Sequence, residues 1–82
     1  MNAVAVSTAG TVTPRQMQIV QGVARGLTNV ELAAELGIAE RTVKSHIDHL
    51  KYKLHVSRRR LLPTALLDAG IDPYPRGGGG DA

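Results

Sequence analysis

The sequence predicts an all-α fold: four short helices with a helix-turn-helix at their centre and disordered tails at both ends. Three observations carry this expectation. Apolar residues recur at helical spacing through the middle of the chain, and glycine and proline punctuate those stretches at helix boundaries. Eighty-two residues allow one domain at most. A chain of this size buries only about 60% of its unfolded surface. With two tyrosines as its only aromatic residues, its core must be aliphatic.

Residues 1–12 are small, nearly uncharged and unpatterned, and read as a flexible arm; the alternation Ala3-Val4-Ala5-Val6 has no partner strand. The first helix opens at Thr13, with Pro14 suited to the first helical position and Gln16 completing a capping box. Ile19, Val20, Val23, Ala24 and Leu27 supply its apolar stripe, and Gly26 ends it. Thr28 caps the second helix with Glu31 as box partner, Leu32, Ala33 and Leu36 face inward, and Gly37 stops it. The third runs from about Glu40 to Leu54. The fourth begins after Ser57 or at Pro63 and closes at Gly70. Residues 72–82, Pro-rich and then Gly77 to Gly80, form a flexible tail, which leaves residues 13–71 as the domain.

At about 100° per residue, Val43, Ile47, Leu50 and Leu54 of the third helix share a seam about 60° wide. Arg41, Ser45, Asp48 and Tyr52 fall on the opposite side with Lys44 beside them, a polar face that suits base edges as well as solvent. Between the second and third helices, Ala33 is the small residue two crossing helices need, and Gly37 the turn. Leu32, Leu36, Ile38 and Val43 clamp both sides, so the run fits a helix-turn-helix with a three-residue turn. A plain helical bundle has the same shape.

Charge singles out the same region. Residues 1–40 sum to −1 and residues 61–82 to −2, whereas residues 41–60 carry Arg41, Lys44, Lys51, Lys53, Arg58, Arg59 and Arg60 against Asp48 alone, or +6. A localised positive field is the footprint of a nucleic-acid surface, and also of an ordinary solvated face beside a basic loop. No cysteine is present, so there is no disulfide framework, which fits a reducing cytoplasm. No apolar run reaches the roughly 20 residues that span a bilayer, and the N-terminus lacks a signal-peptide pattern. No nucleophile–base pair, phosphate loop or ligand cluster suggests an enzyme, so no catalytic residue and no cofactor are expected. His46 and His49 stand at i, i+3 with Asp48 between and His55 beyond. Asp48 points away from His46, which argues against a metal site.

The wider string is more specific. Thr13-Pro14-Arg15, Ala24-Arg25-Gly26-Leu27-Thr28-Asn29, Glu31-Leu32-Ala33, Leu36-Gly37-Ile38, Thr42-Val43-Lys44-Ser45-His46 and Lys53-Leu54-His55-Val56-Ser57 with Arg59 resemble the LuxR-type (GerE/FixJ) DNA-binding domain over about residues 12–71. The resemblance implies a four-helix domain that binds double-stranded DNA through its third helix, dimerises through its fourth and regulates bacterial transcription. It places Lys44, Ser45 and Asp48 where base contacts form; lysine donates to guanine O6 and N7, and aspartate accepts from cytosine N4. Thr28, Asn29, Arg41, Thr42, Lys51 and Arg59 match phosphate or sugar contacts. Leu66 and Leu67 are the candidate dimer surface, with core packing the competing role for at least one.

Several positions depart from that pattern. Asp48 stands where a basic or hydroxyl residue is common. Gly22 replaces a large apolar residue, at a cost of about 1 kcal/mol in helix propensity and a loss of packing. Ala39 replaces a serine cap worth about 1 kcal/mol, His55 replaces a glycine, and Pro63 falls within the fourth helix. The reading is a free-standing cytoplasmic DNA-binding protein, homodimeric and acting in transcription. The alternative is a module that docks on RNA polymerase or another regulator with little DNA affinity of its own.

Overall fold

The computed structural model describes residues 12–74; residues 1–11 of the expected arm and residues 75–82 of the expected tail lie outside them. Four α-helices, α1 (Pro14–Ala24), α2 (Asn29–Leu36), α3 (Glu40–Leu54) and α4 (Leu62–Asp68), are joined by short turns, with a single 3-10 turn at Arg59–Leu61 leading into α4. No strand occurs among the described residues.

The first two helices start for the reason their sequences give. The Gln16 backbone N–H donates to Thr13 Oγ1 at 3.0 Å and the Thr13 N–H donates to Gln16 Oε1 at 3.2 Å. Thr28 and Glu31 repeat the exchange at 3.1 and 2.8 Å. Each box satisfies two donors that a helix start leaves open. Gly37 closes α2 in the left-handed region, at φ 69° and ψ 35°, where an L side chain is strained. α3 begins differently. Ala39 has the extended backbone of a cap, φ −74° and ψ 150°, but no side-chain cap bond. His55, the residue that follows α3, takes a left-handed conformation at φ 59°.

The core is aliphatic: Ile19 and Val20 from α1, Leu32 and Ala33 from α2, Val43, Ile47 and Leu50 from α3, and Leu62 and Leu66 from α4. α3 packs against all three other helices and is the central element. Pro63 resolves the ambiguity over α4, because it occupies the first turn, where its missing N–H leaves no helical bond unmade. The 3-10 turn carries the chain from Arg58 into that position.

One expectation is corrected. Gly22 does not leave a packing gap: a Cβ built there meets Leu32 Cδ2 at 2.2 Å, so Leu32 already fills the space against the α1 backbone. The described residues also include Asp72 to Tyr74. Pro73 is fully buried, and the Tyr74 N–H donates to Asp72 Oδ1 at 2.9 Å.

Candidate nucleic-acid interface

Burial of Val43, Ile47 and Leu50 fixes the rotation of α3 and turns its other side outward. Arg41, Lys44, Ser45, Asp48 and Tyr52 are all exposed there. The three expected base readers thus share one face. Two of them are joined, since Lys44 Nζ donates to Asp48 Oδ2 at 2.9 Å. Lys51 Nζ stands 4.0 Å from Asp48 Oδ1, within ion-pair range. The hydrogen bond from Lys44, helped by the fields of Lys44, Lys51 and His49, holds the Asp48 carboxyl below its ordinary 3.8. Asp48 is therefore ionised at neutral pH.

The expected phosphate and sugar contacts divide into two groups. Arg41 and Thr42 are exposed on the first turn of α3, and Thr28 is exposed at the start of α2. Asn29 and Arg59 instead meet each other. Arg59 Nη1 donates to Asn29 Oδ1, and Nη2 donates to the Leu27 carbonyl at 2.8 Å. This pair ties the 3-10 turn to the start of α2, so Arg59 braces the second helix whatever else its remaining N–H groups do. Lys53 works similarly at the far end of α3, donating to Gln16 Oε1 at 2.9 Å. Between the turn after α1 and the last turn of α2, Arg25 Nη2 reaches both carboxylate oxygens of Glu35 at 2.7 Å.

Tyr52 was not among the sequence-derived site residues. It is 82% exposed and extends the outward face of α3 beyond Asp48, a placement its position opposite the Val43 seam already signalled. The dimer candidates separate. Leu66 is fully buried in the core and has no surface to offer a second copy, whereas Leu67 is 45% exposed and Leu61 40%. Among the described residues no three His, Cys, Asp or Glu side chains gather to hold a metal ion. No described helix is long and apolar enough to cross a membrane.

Residues 11–63 match the pattern of a family described as bacterial regulatory proteins, luxR family. Over 62 residues the chain is 39% identical to the two-component response regulator PprB of Pseudomonas aeruginosa, an alignment covering 76% of this chain and 22% of that protein. It is 43% identical over 54 residues to the nitrate/nitrite response regulator NarP of Escherichia coli, covering 66% and 25%. A nitrate/nitrite response regulator homologue of Haemophilus influenzae is 47% identical over 47 residues, covering 57% and 23%. The matched region spans about a quarter or less of these relatives. No solved structure matches the chain.

Proposed function

Because the chain belongs to the luxR family of bacterial regulatory proteins, we propose that it binds double-stranded DNA in transcription regulation, with α3 lying in the major groove. The observation that carries this is the exposed face of α3: Arg41, Lys44, Ser45 and Asp48 project opposite a buried aliphatic seam. A helix so held presents donors and acceptors at fixed spacing, as reading base edges requires. Lys44, Ser45 and Asp48 are assigned to bases. Thr28, Arg41, Thr42 and Lys51 are assigned to phosphate and sugar. Asn29 and Arg59 serve that second set indirectly, by bracing the start of α2, whose N–H groups and dipole favour an anion. The protein works as a homodimer in the cytoplasm, with Leu67 on the shared surface in place of Leu66.

Fluorescence anisotropy on labelled duplex DNA tests this reading. Phosphate contacts release counterions, with a log–log slope of about −0.9 per contact, so affinity falls steeply between roughly 50 and 200 mM salt. One observation favours the second reading, docking on RNA polymerase or another regulator: Asp48 neutralises part of the charge on this face. Weak binding with a flat salt response identifies that case.

A further inference from the structure

We propose that Lys44 and Asp48 act as one joined donor–acceptor unit that reads a single G·C base pair, rather than as two separate base contacts. The inference rests on the reading of α3 as the DNA-facing helix, and it explains how a carboxylate is tolerated there. An isolated carboxylate entering a groove lined by phosphates is repelled. Asp48 enters as half of a neutral pair with Lys44, at 2.9 Å, with the Lys51 ammonium 4.0 Å away on its other oxygen.

The spacing of the pair fits its target. In a G·C pair, guanine O6 and cytosine N4 are hydrogen-bonded to each other, so they lie about 2.9–3.0 Å apart. The Lys44 nitrogen and Asp48 oxygen present the complementary order, donor beside acceptor, at the same separation. An ammonium has three hydrogens; one is given to Asp48, which leaves two for guanine O6 and N7. A carboxylate has about four lone-pair sites. Asp48 Oδ2 gives one lone pair to Lys44 and keeps another for the cytosine N4–H, while Oδ1 faces the Lys51 ammonium at 4.0 Å. The pair can therefore dock with its internal bond intact. Both side chains are exposed, at 69% and 52%, and sit one helical turn apart on the outward face.

An A·T pair also sets a donor beside an acceptor, but it suits the unit less well. There the ammonium meets a single acceptor, thymine O4, next to the C5-methyl group. On G·C it meets two adjacent acceptors with the donor following. Guanine accordingly lies on the Lys44 side and cytosine on the Asp48 side.

Selection of random duplex DNA by the full chain, followed by anisotropy on single base-pair variants, tests the unit. The unaltered protein is expected to prefer G·C at one position by on the order of tenfold to a hundredfold. Lys44→Ala and Asp48→Ala should each flatten the preference at that same position. The double variant, which keeps the net charge, should lose nothing further. Circular dichroism confirms that each exposed substitution leaves the helices intact. Loss of preference at two different positions overturns the joined unit in favour of independent readers. An unchanged profile with uniformly higher affinity in Asp48→Ala reduces Asp48 to a charge screen, and an A·T preference at the shared position overturns the order assigned above. If the unaltered protein fails to bind duplex DNA at low salt, the DNA reading itself falls and the unit with it.

Discussion

Gly22→Ala ought to stabilise a mid-helix glycine on propensity alone, and here we expect it to destabilise. In a helix interior alanine is favoured over glycine by about 1 kcal/mol. Against that gain stands the contact with α2. The new Cβ would lie 2.2 Å from Leu32 Cδ2 and 3.0 Å from its Cγ. Carbon atoms pack best at about 3.5–4.0 Å, so the leucine end must retreat by more than an ångström. Leu32 is only 1% exposed, so its retreat must displace neighbours in the core rather than solvent. Overpacking of this kind costs about 1–3 kcal/mol. The balance is a net loss of up to about 2 kcal/mol. In a domain of this length each kcal/mol moves the melting temperature by about 4–8 °C. Thermal and urea unfolding followed by circular dichroism give the number. The companion variant Leu32→Val removes the clashing terminal carbons, and in that background Gly22→Ala should become neutral or favourable. A rise in melting temperature for Gly22→Ala alone would refute the argument, because the Leu32 contact would then not limit the approach of α1 to α2.

Ala39→Ser should raise stability, although by less than a full cap. The Thr42 N–H that a serine hydroxyl would take already donates to the Ala39 carbonyl at 3.0 Å, so the gain is about 0.5–1 kcal/mol, read as a rise of a few degrees in melting temperature. Asp48 should titrate below 3.8 in the folded protein, and Lys44→Ala should move it upward, as measured by carboxyl-carbon NMR. Since its folded value is depressed, the contribution of Asp48 to stability is present above its unfolded value and is lost as pH falls through the folded one, below about 4. Leu67→Asp should leave a folded monomer by sedimentation with weakened DNA affinity, whereas Leu66→Asp should unfold the domain by burying an unpaired charge.

How much of this was legible in the sequence follows the range of each interaction. Helix starts were readable because a capping box is complete within four residues, as at Thr13 and Thr28. The outward face of α3 was readable because it needs only helical periodicity. The Lys44–Asp48 pair lies at i, i+4, a spacing that local rules already mark as adjacent. Tertiary partners were not readable. Arg59 finds Leu27 and Asn29 across 32 and 30 residues, and Lys53 finds Gln16 across 37. Gly22 misled for the same reason, since the side chain that explains it belongs to α2. Leu66 and Leu67 were indistinguishable by composition, and only the rotation of α4 on the core separates them.

These long-range contacts change what the basic segment can deliver to DNA. Of the seven cations between residues 41 and 60, Lys53 and Arg59 are committed to holding helices together. Arg41, Lys44, Lys51, Arg58 and Arg60 are left for phosphates or bases, and Asp48 shares the charge of two of them. At about −0.9 per phosphate neutralised, five contacts set a ceiling of about −4.5 on the salt slope per protomer, against about −6.3 for all seven. If Lys44 reads a base with Asp48, it makes no phosphate contact and the ceiling falls to about −3.6. Lys53→Ala and Arg59→Ala should then lower melting temperature more than they change that slope, while Lys51→Ala should reduce the slope by about one contact and leave folding intact. The reverse pattern, with the slope tracking Lys53 and Arg59, would mean that both side chains leave their intramolecular partners on binding DNA.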